Sequence, residues 1–154
     1  MCGDEVVSFD AVYAAEREGL VRLASLILGS TFAADDVVQD AFARLLGRFG
    51  RVTNPAGWLR VAVVNGCRNE HRRLRVSRRH AQGLDTVGPV APDTTPELIG
   101  LLRHLPTRQR AVVVLRFYED LPEAEIARLM RIRVGTVKST LHRALARLRK
   151  EAGE

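Results

Sequence analysis

The chain has 154 residues, 46% hydrophobic and 27% charged, which suits one ordinary domain or two small ones and excludes a disordered chain. Aromatics are 5%, so the core must rest mainly on Leu, Val and Ala. A net charge of +6 favours an acidic partner such as nucleic acid or an anionic surface, and no stretch approaches the ~18 apolar residues of a membrane span.

The opening "MCGDEVVSFD" is acidic and lacks the apolar run of a secretory signal. A cytoplasmic protein with reduced thiols is expected. Cys2 lies at the terminus and Cys67 in a helical pattern. Cys67 and His71 are four apart and could form half a metal site, but no second pair has ligand spacing. No metal and no cofactor is therefore expected.

Ser8 can cap a first helix through residue 28, in which Val12, Leu20, Leu23 and Ile27 recur at helical spacing, and Gly29 suits a left-handed exit. A second helix is expected over 31–48. The "RVTN" that follows is a turn, with Asn54 as cap and Pro55 at the first position of a third helix over 55–79. Residues 81–96, "AQGLDTVGPVAPDTTP", hold two Gly and three Pro without apolar periodicity and read as a linker. Helices then restart at Thr95, at Thr107 (as cap, through 118) and at Pro122 (through 130). The turn "RIRV" leads into a last helix. No period-two run is long enough for a strand.

The charge is segregated along this plan. Residues 1–59 carry five Arg and eight acids, net −3; residues 60–80 carry seven Arg and one Glu, net +6. Residues 131–154 carry seven Arg or Lys and two Glu, net +5. A solvated face explains either basic block alone. Two blocks, one per putative domain, point to a bipartite anion-binding surface.

Three helices present divided faces. In the second, Val38, Ala41, Phe42 and Leu45 form an apolar stripe. Asp36, Gln39 and Asp40, with Asp35 beside them, lie opposite; they are either a solvated face or an acidic docking strip for a basic protein partner. In the third, an apolar first half (Trp58 to Val64) gives way to Asn65, Arg68, Asn69 and Arg72 on one face, with Arg73 and further arginines beyond. Asn can hold base edges and Arg can pair with phosphate or guanine. A membrane-surface helix would need a large apolar face, and only Leu74 and Val76 interrupt the arginines. In the last helix, Val137, Leu141, Ala144, Leu145 and Leu148 form the stripe. Lys138, Ser139, His142, Arg143, Ala146 and Lys150 lie opposite. A short helix, a turn and this helix make a helix-turn-helix, whose second helix enters the DNA major groove.

"LPTRQRAVVVLRFYEDLPEAEIARLM" with "VGTVKSTLHRALARLR" resembles the promoter-binding region 4 of bacterial sigma factors. "AADDVVQDAFARLL" resembles their core-polymerase-binding segment in region 2, and "NPAGWLRVAVVNGCRNEHRR" the helix that reads the −10 element. Their order and the short linker are those of the extracytoplasmic function (ECF) class. The resemblance implies an all-α chain of two small domains on a flexible linker: region 2 over 1–80, linker over 81–95, region 4 over 96–154. It implies that Asp35, Asp36, Gln39 and Asp40 face the β′ clamp helices of RNA polymerase core. Arg51, Asn54, Asn65, Arg68, Asn69, Arg72 and Arg73 would engage the −10 strand. Arg133, Thr136, Lys138, Ser139, His142 and Arg143 would enter the −35 groove, with Arg147 on phosphate. The implied partners are core polymerase (β′ clamp and β flap), promoter DNA and an anti-sigma factor, with no small-molecule substrate and no covalent chemistry. A helix-turn-helix regulator that never joins polymerase is the alternative. The family often has Gly and Ser where this chain has Arg131 and Arg133. Gly suits a left-handed turn and Ser would cap the recognition helix.

Overall fold

The computed structural model describes residues 7–78 and 96–153; for 71–78 it describes the helical backbone only. The expected linker over 81–95, Cys2 and the side chains of His71, Arg72 and Arg73 lie outside the described residues. Within them the elements are all helical: α1 Phe9–Leu28, α2 Thr31–Leu46, α3 Pro55–Arg78, α4 Pro96–Arg103, α5 Thr107–Val113, α6 Glu123–Met130 and α7 Val134–Glu151.

The caps explain most of the boundaries. Ser8 accepts from the N–H of Ala11, and Gly29 leaves α1 at φ 72°, where a glycine has no Cβ penalty. Ser30 caps α2 in the same way, accepting from Ala33. Asn54 Oδ1 accepts from the Gly57 N–H at 3.1 Å and starts α3. Three expectations are corrected. The second helix stops at Leu46, and a 3-10 turn, Phe49–Arg51, follows it. Thr107 is not a cap: Pro106 holds that place, without a side-chain bond, and Thr107 is a buried first residue. The α5 ladder widens into a π-helical turn over Val114–Tyr118, so its last five residues are not ordinary helix.

Helices α1, α2 and α3 pack on one another, while α7 packs against both α5 and α6, with α4 also against α7. The α2–α3 approach is close: a Cβ on Gly66 would stand 2.8 Å from Val37 Cγ1. The expected stripe of α2 is buried throughout, as are Leu59, Val63 and Val64 of α3. Each fully buried Leu or Val contributes about 1.5–3 kcal/mol relative to exposure. The interior is indeed aliphatic. Yet Phe9, Tyr13, Phe42 and Phe49 gather where α1 begins and α2 ends, with Tyr13 and Phe42 ring centroids 4.7 Å apart. The two helical groups also pack together, through α3 against α6 and α1 and α3 against α5. One continuous apolar cluster runs through both.

Candidate nucleic-acid and docking interfaces

The first face is on α2. Asp36, Gln39 and Asp40 are all exposed. Gln39 Nε2 donates to the Tyr13 hydroxyl at 3.1 Å, so the aromatic corner positions the middle of the strip. Asp40 lies 3.8 Å from Arg44, one turn on, a pair too exposed to cancel its charge. Asp35 stands apart from these three. It is half-buried and takes a 3.0 Å hydrogen bond from Arg17 of α1, so its carboxylate is already paired within the fold.

Two residues of this face were missed in the sequence. Phe32 is 81% exposed and Leu46 is 61% exposed. With Asp36, Gln39 and Ala43 they fall at i, i+4, i+7, i+11 and i+14, which is one line along a helix. The stripe therefore has apolar side chains at its ends and an acid between them. The same periodicity that identified the buried stripe would have found it.

The second face is on α3 and is less open than its sequence suggests. Asn69 is exposed and Asn65 half-buried. Arg68 is turned away from solvent: its Nη1 donates to the Met130 carbonyl at 2.8 Å, at the end of α6. Asn54 is engaged as the α3 cap through Oδ1. Arg51 is exposed in the 3-10 turn. Cys67, between these residues, is fully buried, and burial pushes its thiol up to about 12. It stays protonated at neutral pH and is unsuited to nucleophilic or ligand chemistry.

The third face is on α7. Val137, Thr140 and Ala144 are buried, and Leu141, Leu145 and Leu148 partly so. Lys138, Ser139, His142, Arg143 and Arg147 are exposed on the other side, with Thr136 half-buried at the edge. Arg143 is held over its own helix. Its Nε donates to the Ser139 carbonyl at 3.3 Å, while the Ser139 hydroxyl donates to the Thr136 carbonyl at 3.1 Å. Lys138 Nζ lies 3.9 Å from Glu123, on the first turn of α6. Of these links the Lys138–Glu123 pair reaches from α7 to α6, and the others lie within α7.

The turn between α6 and α7 carries two costs. Arg131 ends α6 at φ 56°, ψ 46°, a left-handed conformation that costs a residue with a Cβ about 1–2 kcal/mol. Arg133 occupies the N-cap of α7 with extended backbone and makes no side-chain bond, leaving the first-turn N–H groups to water or phosphate. Arg131→Gly is expected to stabilise the chain by about 1 kcal/mol. Arg133→Ser is expected to stabilise by about 1 kcal/mol through a restored cap. Each should raise the melting temperature by about 2–4 °C in a thermal scan. Arg133→Ser should also weaken DNA binding if this cation touches phosphate.

The described residues thus form an all-helical fold with an exposed, acid-centred stripe on α2 and a helix-turn-helix of α6 and α7 with a basic outer face. Residues 12–76 match the family profile described as Sigma-70 region 2, and residues 96–148 match Sigma-70, region 4. The RNA polymerase sigma-E factor of Streptomyces coelicolor is 33% identical over 96% of this chain and 87% of its own length. The ECF RNA polymerase sigma factor SigM of Mycobacterium tuberculosis is 35% identical over 95% and 78%. The sigma factor RpoE of Bartonella quintana, solved in complex with the anti-sigma factor NepR, superposes with a TM-score of 0.74 at 20% identity, over 94% of this chain and 96% of that one, and so shares the fold. The chain belongs to the sigma-70 family of RNA polymerase sigma factors, in its ECF class.

Proposed function

We propose that this chain joins core RNA polymerase through the exposed stripe of α2 and directs it to promoters read by α3 and α7. The observation that carries this reading is the stripe itself. A regulator that only binds DNA has no use for Phe32 and Leu46 in water on either side of Asp36, Gln39 and Asp40. The β′ clamp helices are its expected partner, with the β flap meeting the C-terminal half. We place region 2 in residues 1–80 and region 4 in 96–154, with the chain between them as the connection.

On this reading α7 lies in the −35 major groove, with Lys138, Ser139, His142 and Arg143 toward base edges and Arg147 on phosphate. Arg51, Asn54, Asn65, Arg68, Asn69, Arg72 and Arg73 hold the −10 strand. Capturing an unstacked base costs a few kcal/mol, which the cations of α3 and the polymerase contacts offset. The protein works by binding, with no reaction of its own, and acts in the cytoplasm. No described helix is long and apolar enough to cross a membrane. An anti-sigma factor is a further expected partner, as in the complex of its Bartonella relative.

The test is transcription in vitro with core polymerase on genomic fragments, with and without the chain. Start sites that need the chain are expected. DNA binding with no dependent start site would instead identify a regulator that never joins polymerase.

A further inference from the structure

Of the chain's 24 Lys and Arg residues, all but Lys138 and Lys150 are arginine. Both lysines lie on α7. The distinction is chemical. A guanidinium stays protonated at physiological pH and offers no nucleophilic nitrogen, whereas a lysine amine that sheds its proton attacks activated acyl groups. Cys67 is closed to the same chemistry, because it is fully buried and its thiol stays protonated. An acyl donor therefore finds side-chain amines on one helix. The acidic stripe of α2 has no lysine, and the cationic face of α3 is built from arginine.

The two lysines differ in place. Lys138 stands one turn into α7, beside the exposed Ser139, His142 and Arg143, and its side chain is 66% exposed. Gly135, three residues earlier and on the same side of the helix, leaves open space there: a Cβ on it would meet nothing within 4 Å. The amine is thus reachable along the first turn. Its Nζ lies 3.9 Å from the Glu123 carboxylate, too far for a hydrogen bond, and an exposed pair of this kind binds weakly. Arg131 and Arg133, both exposed in the turn before α7, add positive potential that draws in an anionic acyl donor. Lys150 lies about three turns further on, in the last turn of α7.

We infer that Lys138 is an acylation site, and that its modification by an acyl phosphate or an acyl thioester shuts off −35 reading while the faces of α2 and α3 stay unmodified. In the step, the lone pair of the neutral Nζ attacks the acyl carbonyl carbon and a C–N amide bond forms. The bond from that carbon to the phosphate oxygen or thiol sulfur breaks, and the leaving group departs with its electron pair. The surplus proton on nitrogen passes to water. The product amide carries no charge, so the outward face of α7 loses a cation and its freely turning donors. The inference rests on the reading of α7 as the −35 helix.

The experiment incubates the full chain with acetyl phosphate in one arm and acetyl-CoA in the other. Peptide mass spectrometry reports occupancy at Lys138, Lys150 and the N-terminal amine, and circular dichroism checks that helicity is kept. Anisotropy with a fluorescent −35 duplex then compares wild type, Lys138→Arg and Lys150→Arg, each before and after treatment. Wild type and Lys150→Arg are expected to lose affinity about tenfold once Lys138 is fully acetylated. Lys138→Arg, whatever its own starting affinity, is expected to be unmoved by treatment. Labelling of Lys138 in one arm alone supports the site and identifies the donor. Absence of Lys138 labelling in both arms overturns the site. Labelling without loss of affinity, or an equal loss in Lys138→Arg, overturns the switch. If the untreated chain binds the −35 duplex no better than a scrambled one, the reading of α7 has failed and the switch with it, while labelling still decides the site.

Discussion

Reversing both exposed acids of α2, as Asp36→Arg with Asp40→Arg, is expected to abolish co-purification with core polymerase while leaving binding of the full chain to a −35 duplex intact. The physical reason is the composition of the stripe. Its centre carries the charge that a basic partner must meet, and its ends carry Phe32 and Leu46, both largely in water. Reversal replaces attraction with like-charge contact inside a surface whose apolar ends still demand close approach. Removing one member of a desolvated charge pair costs about 2–5 kcal/mol, or roughly 30-fold to several thousand-fold in affinity. Phe32→Ala should weaken assembly less, and mainly through lost contact area. The fold should tolerate all three changes, since these side chains point outward and the buried stripe of α2 is untouched. Asp35→Ala offers a contrast. Its carboxylate pairs with Arg17, so its effect should appear in stability more than in assembly. Retention of full polymerase binding by the double reversal would remove the docking assignment from α2.

How much of this was legible beforehand depended on whether the signal was local. Helix caps and stripes are local. Ser8, Gly29 and Asn54 announced their helix ends, and the buried faces of α2 and α7 follow from spacing alone. The faces opposite were legible as charge, because Asp36 or Arg143 at an exposed position needs no tertiary information. What failed was everything set by contacts distant in the chain. Phe32 and Leu46 look like core residues by type; helical spacing places them off the buried stripe, but it is the packing of α1 and α3 on that stripe that leaves them in water. Asp35 looks like its neighbour Asp36 until Arg17, eighteen positions away, is brought beside it. Arg68 looks like a free cation on a polar face, and nothing nearby in sequence indicates the Met130 carbonyl sixty-two positions on. The π-helical turn at Val114–Tyr118 has no composition signal, since helix and π-bulge share the same residues.

At the other end of the chain, Arg143→Ala is expected to lower affinity for the preferred −35 sequence by about 1–3 kcal/mol, which is roughly 5- to 150-fold. Its guanidinium is already drawn over Ser139 by the 3.3 Å bond to the Ser139 carbonyl, so less rotamer entropy is lost when it meets a base edge. A side chain held this way is expected to discriminate between sequences, because a wrong base would leave its held donors unpaired. Arg147→Ala should behave differently. One turn further along α7 and exposed, it is expected to weaken every duplex alike and to reduce the slope of log affinity against log salt by about 1, as a phosphate contact does. Binding isotherms on the preferred duplex and a scrambled one, each at several salt concentrations, separate the two roles. If Arg143→Ala also loses affinity equally on both duplexes, it is a second phosphate contact. Base discrimination must then rest with Lys138, Ser139 and His142, which share its exposed face.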